Sequence, residues 1–195
     1  MQQIILINGG DAFDTYEEYL ANLRACVVDY ERLRPKQSWK QWLAMQLSHD
    51  DVLLPSFPNP SNAQYDEWKV MFEKILPFLS AGCIFVGHSL GGSFLLKYCS
   101  ENTLPFTPKK IIFVAAPYGD VSSGEIGSFR VTPNPKLVNA ADEIHFLHSR
   151  DDTLVSFDDF LKFKKQFPKA HFHEFHDRGH FLDTEFPEMI HIIKN

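Results

Sequence analysis

The chain has 195 residues and a mass of 22.5 kDa, enough for one well-buried domain and too little for two of ordinary size. Its 44% hydrophobic and 23% charged residues exclude collagen-like and disordered chains. With 19 Lys plus Arg against 25 Asp plus Glu, a net charge of −6 argues against the broad basic surface that nucleic acid requires.

The first apolar run, Ile4 to Ile7, has no basic segment ahead of it and is too short for a signal peptide. No run approaches the roughly 20 apolar residues of a membrane span. The cysteines, Cys26, Cys83 and Cys99, are odd in number and include no C-x-x-C pair to hold zinc or run a redox cycle. A cytoplasmic protein in a reducing compartment is expected, with neither membrane nor nucleic acid as a partner.

After Ile4–Ile7 comes the run Asn8-Gly9-Gly10, then helical spacing in Tyr16, Tyr19, Leu20, Leu23, Cys26, Val27 and Tyr30. Trp39, Trp42, Leu43 and Leu47 mark a second helix, whose aromatic stripe is expected to pack in the core. Val52 to Leu54 is the next strand, and Tyr65, Trp68, Met71, Phe72, Ile75 and Leu76 place apolar residues on one face of a third helix. Three reciprocal caps are predicted at these helix starts: Thr15 with Glu18, Ser38 with Gln41, and Ser61 with Gln64.

Further strands are predicted at Cys83 to Val86, Ile111 to Ala116, Ile144 to Leu147 and, more weakly, Ala170 to Phe175, giving six buried strands. Between Pro117 and Asn139, clustered Gly, Ser and Pro predict a loop that could border a ligand site. Strands alternating with helices read as an α/β protein: residues 1–195 form a single domain around a six-stranded, mostly parallel sheet with helices on both faces.

The segment Gly87-His88-Ser89-Leu90-Gly91 sets G-x-S-x-G between an apolar strand and the helical run Phe94, Leu95, Leu96 and Tyr98, the context of a nucleophile elbow. So tight a turn leaves no room for side chains at its two glycines and forces Ser89 into the open. A serine hydroxyl is a weak nucleophile and needs a neutral imidazole, itself oriented by a carboxylate. In this architecture the acid and then the histidine follow the serine, on loops at the same sheet edge.

The turn His148-Ser149-Arg150-Asp151-Asp152 offers two adjacent carboxylates, which point to different sides of an extended chain, so one faces the site. Asp152 is favoured over Asp151. In His176-Asp177-Arg178-Gly179-His180, Gly179 permits a sharp turn that presents His180 as the base. His176 is its rival, Asp177 and Asp183 are read as solvated, and His145 and His173 as hydrogen-bonded strand residues. Two N–H donors for an oxyanion are expected at Leu90, after the serine, and at Gly10, after the first strand. No metal or other cofactor is called for: His171 and His173 share a strand face, but His176 does not, and no Cys or carboxylate pattern completes a site.

With these residues assembled, the chain resembles the small α/β-hydrolase family that includes retinoblastoma-binding protein nine and the YdeN-like bacterial serine hydrolases. The likeness runs nearly end to end. It lies in the short first strand leading to Asn8-Gly9-Gly10, in Pro55-Ser56-Phe57-Pro58-Asn59-Pro60 before the Trp68 helix, in Gly87-His88-Ser89-Leu90-Gly91, in Ser149-Arg150-Asp151-Asp152 and in Gly179-His180. The resemblance implies a minimal three-layer α/β-hydrolase core without the two usual leading strands or a large cap domain, and it sets the acid on Asp152. Two departures are Ser156, where such proteins commonly carry proline, and Asn8-Gly9-Gly10 in place of His-Gly.

The expected function is an esterase-like serine hydrolase that needs no metal. It would cleave a small ester, thioester or amide through Ser89, Asp152 and His180, and its activity would fall as acid protonates the imidazole. A protein-interaction module that keeps the hydrolase fold with little catalysis is the alternative.

Overall fold

Strands β1 (Gln3–Ile7), β2 (Asp51–Leu53), β3 (Ile84–His88), β4 (Lys110–Val114), β5 (Glu143–Ser149) and β6 (His171–Phe175) form one sheet in the order β2-β1-β3-β4-β5-β6. Every pairing is parallel. The computed structural model describes residues 1–120 and 126–195, so Ser122, Ser123 and Gly124 of the expected loop lie outside the described residues. From β1 the chain steps outward to β2 and returns across β1 to β3, so the strand order reverses between β1 and β3. Crevices at such a reversal, beyond the carboxyl ends of the strands, are where open α/β sheets bind ligands.

Although the strand sequences are continuously apolar, their side chains divide by alternation between two layers. Ile5, Ile7, Phe85, Ile111, Phe113 and Phe146 face one layer, where α3 (Tyr65–Ile75), α4 (Leu90–Glu101) and α5 (Phe157–Gln166) supply Trp68, Phe72, Phe94, Phe160 and Phe163. Ile4, Leu6, Ile84, Val86, Ile112 and Val114 face the other, filled by Trp39 and Leu43 of α2 (Trp39–Gln46) and by Met189, Ile192 and Ile193 of α6 (Pro187–Lys194). The predicted aromatic stripes are therefore core.

Helix α4, which follows Ser89, buries nine of its 12 residues. Each large apolar side chain so buried contributes about 1.5–3 kcal/mol relative to exposure, which fixes this helix firmly behind the serine.

The structure corrects several expectations. Helix α1 (Tyr16–Ala25) stops short of Tyr30 and buries none of its residues; Val27 and Tyr30 beyond it are exposed. The apolar spacing there meets no core among the described residues. The edge strands β2 and β6 are only partly buried, because each has a neighbour on one side alone. The caps at Thr15 and Ser38 close reciprocally, but the Ser61–Gln64 box does not form. Helix α3 starts at Tyr65, whose N–H donates to Ser128 Oγ at 2.9 Å, so a residue 63 positions away does the capping. The loop after β4 is also more structured than its composition suggests. It contains helical turns at Gly127–Phe129 and Pro135–Asn139, with Phe129 and Leu137 fully buried.

Candidate active site

Ser89 links β3 to α4 with φ 54° and ψ −122°, a conformation that L-residues adopt only under constraint. The constraint is steric. A Cβ on Gly87 would lie 2.6 Å from the Gly91 carbonyl oxygen, and one on Gly91 would lie 2.6 Å from that of Asn8. Both glycines of the motif are thus required, and α4 packs directly against the end of β1. Gly9 completes the fit, because a Cβ there would come within 3.0 Å of Ser89 Cβ. The Ser89 N–H donates to Val114 O at 2.8 Å, tying the turn to β4.

Asp152 and His180 are brought together. His180 Nδ1 donates to Asp152 Oδ2 at 2.8 Å, and the carboxylate is fully shielded from solvent. Its other oxygen accepts the N–H groups of Leu154 at 2.8 Å and Val155 at 3.0 Å. Burial alone would raise the Asp152 pKa, but the His180 hydrogen bond and these backbone donors outweigh it and hold the carboxyl below its ordinary value. With Nδ1 committed as a donor, the neutral imidazole keeps its lone pair on Nε2.

Ser89 and His180 line the same cavity, of about 580 Å³, at the carboxyl edge of the sheet. No hydrogen bond joins Ser89 Oγ to His180 among the described residues; in free enzymes such contacts often tighten only when substrate binds. Gly10 and Leu90 border this cavity too, and neither of their N–H groups is engaged by a protein acceptor among the described residues. Pro117 and Ile126 bring the loop after β4 to its wall, as the composition of that loop suggested.

Asp151 does not reach the imidazole. It accepts the Ser149 hydroxyl and, at 2.9 Å, the Gly179 N–H. His176 is excluded from the cavity: its side chain is 73% exposed and lies 3.8 Å from Glu174. Asp183 pairs with Arg178.

Several residues that position this site carried no recognisable signal. Three successive residues of the histidine loop are each held: the Gly179 N–H by Asp151, the His180 carbonyl by His88 Nε2 at 2.9 Å, and the Phe181 carbonyl by Trp39 Nε1 at 2.9 Å. Gly179 and Phe181 both adopt positive φ, 48° and 53°, so the sharp turn expected at Gly179 is present and continues past the histidine. His148 Nε2 donates to Val155 O at 3.0 Å and steadies the acid's own turn. Lys40 Nζ donates to His88 Nδ1 at 3.0 Å. Burial, with the charge of Lys40 added, pushes His88 well below its ordinary pKa and keeps it neutral; burial likewise pushes Lys40 down to about 8.

Away from the cavity, Glu143, His145 and His171 each bring a ligand atom within 4.8 Å of the others, the group best able to hold a metal among the described residues. The Lys110 ammonium, 3.2 Å from Glu143, opposes a cation there. This set differs from the His171, His173 and His176 grouping in the sequence. His173 Nε2 lies 3.1 Å from His145 Nδ1, in the hydrogen-bonded role expected for both strand histidines.

The all-parallel sheet with a strained serine between β3 and α4 defines an α/β hydrolase. Within that class, the chain belongs to the serine hydrolase family, which matches residues 28–188. No curated protein matches its sequence. Among solved structures, the ydeN gene product from B. subtilis superposes with a TM-score of 0.78 at 20% identity, covering 99% of this chain and 97% of that one. A protein described as a putative YdeN-like hydrolase, from Pectobacterium atrosepticum, gives 0.67 at 14% identity, covering 98% and 89%. A methylesterase from Arabidopsis gives 0.60 at 12% identity, covering 100% and 98%. No described helix is long and apolar enough to cross a membrane.

Proposed function

We propose that the protein is a serine hydrolase of small acyl substrates, esters foremost and thioesters or amides by the same chemistry, with Ser89 as nucleophile, His180 as general base and acid, and Asp152 as the group that orients the imidazole. The carrying observation is the 2.8 Å hydrogen bond from His180 Nδ1 to a shielded Asp152, in a cavity that also exposes the strained Ser89. That bond sets the tautomer the reaction needs.

Ser89 Oγ attacks the ester carbonyl as His180 Nε2 takes its proton. The resulting oxyanion is met by the Leu90 and Gly10 N–H groups. Collapse breaks the bond to the alcohol, which leaves with the proton from Nε2. Water then attacks the acyl carbon and gives a proton to Nε2, and release of the carboxylic acid returns that proton to Ser89 Oγ. The likeness to a methylesterase agrees with ester substrates.

A panel of aryl esters of increasing acyl length tests this reading. Wild type should hydrolyse the short members, with pre-steady-state release of the aryl alcohol ahead of turnover, and Ser89→Ala should lose about 10⁴-fold or more in kcat. Folded wild type inactive across the panel would favour the interaction-module reading.

A further inference from the structure

The cavity beside Ser89 contains a cation that the proposed reaction does not use. Lys40, in the first turn of α2, is the one Lys or Arg among the described residues lining it. Among the described residues its one hydrogen-bond partner is His88 Nδ1 at 3.0 Å, and it lies 5.3 Å from the centroid of the Trp39 ring. That imidazole is neutral, since its Nε2–H is given to the His180 carbonyl and its ring is buried. Among the described residues, no carboxylate lies within the 4.0 Å of an ion pair with Lys40.

An ammonium that is half-buried without a counter-charge is costly, and such groups are normally paired. The nearest partner, His88, immediately precedes the serine in sequence. The uncompensated charge therefore lies close to where a substrate would be held. One positive charge balances a monoanion; a doubly charged phosphate would leave an excess in a cavity that already contains Asp11.

Resting on the hydrolase reading above, we propose that Lys40 is a specificity-determining residue, which selects substrates carrying a carboxylate by pairing its ammonium with that group while Ser89 engages the ester carbonyl. The substrate class is the monoester of a dicarboxylic acid, or an ester whose alcohol part bears the carboxylate.

Three substrate series test this: monomethyl esters of dicarboxylic acids, methyl alkanoates of matched chain length, and acetates of ω-hydroxy acids. Wild type should show higher kcat/KM for a carboxylate-bearing series than for the methyl alkanoates, and the preferred series tells which side of the scissile bond faces Lys40. In Lys40→Met that preference ratio should fall on the order of tenfold or more, the size of one charge-assisted hydrogen bond, chiefly through KM. Lys40→Arg should keep it.

The titratable groups facing Lys40 are His88 on β3 and, around the cavity, Asp11 and His180. Because Lys40 is held near 8, the wild-type preference should fade as the solution becomes alkaline, while that of the arginine variant, always charged, persists. Wild type that hydrolyses methyl alkanoates as well as or better than both carboxylate series overturns the inference and leaves the hydrolase reading standing. So does a methionine variant that lowers all series equally. Wild type that cleaves aryl esters but none of the three series also overturns the inference, whereas wild type inactive on aryl esters as well removes the hydrolase reading, and this inference with it.

Discussion

Asp151 holds the Gly179 N–H at 2.9 Å, one residue before the imidazole that Asp152 holds at 2.8 Å. Two adjacent carboxylates on the turn after β5 thus grip one loop after β6 at successive points, Asp151 its backbone and Asp152 the His180 side chain. The turn that follows β5, closed by the Asp152 N–H donating to Ser149 O at 3.3 Å, sends the two side chains to these different partners.

The two aspartates should therefore respond differently to amide replacement. Asp152→Asn keeps the shape but can favour the wrong imidazole tautomer, and should lower kcat by about 10⁴-fold. Asp151→Asn leaves the His180 hydrogen bond in place and loosens only its loop, a displacement that costs up to about 10²-fold. Steady-state kinetics of both variants decide the matter; equal losses would show that the carboxylates share one role.

Gly10 is pressed against Pro60, whose carbonyl accepts the neighbouring Asp11 N–H at 2.8 Å. A methyl group on Gly10 cannot fit without shifting this loop, so Gly10→Ala should displace the proposed oxyanion donor and lower kcat by about 10²-fold or more, with a smaller change in KM. A variant with wild-type kcat would remove Gly10 from the mechanism.

Acid should destabilise the fold through its buried histidines. Burial pushes His145 from its ordinary 6.5 down to about 4, so on acidification the unfolded chain takes up the proton first. Its contribution to stability is full above 6.5 and is lost progressively toward about 4, by at most about 1.4 kcal/mol per pH unit. Asp152, held low, adds a loss that begins only below the ordinary carboxylate range. Urea midpoints across this interval should fall more steeply in wild type than in His145→Gln. Parallel curves would show that His145 titrates alike in the folded and unfolded chain.

Where burial and local geometry act together, the sequence could be read directly. The runs that became β1, β3, β4 and β5 are apolar because both faces of the sheet are covered, and the glycines flanking Ser89 are forced by contacts of the turn itself. Reading failed where the partner is distant. Nothing local tells that Tyr65 is capped by Ser128 or that Lys40 ends on His88, 48 residues away. It failed also where a pattern had no consequence: the apolar spacing past α1 continues to Tyr30, but no described element covers it. Asp152 could be favoured over Asp151 only in part from side-chain direction; the hydrogen bonds that divide their tasks depend on the loop after β6.

Labelling with a fluorophosphonate followed by peptide mass analysis tests the central claim most directly, because the probe reports a hydroxyl activated by its neighbours without requiring the natural substrate. Wild type should acquire one adduct, on Ser89, with none in Ser89→Ala and much slower labelling in His180→Ala. A folded wild type that stays unlabelled, or an adduct that persists in Ser89→Ala, would contradict the account.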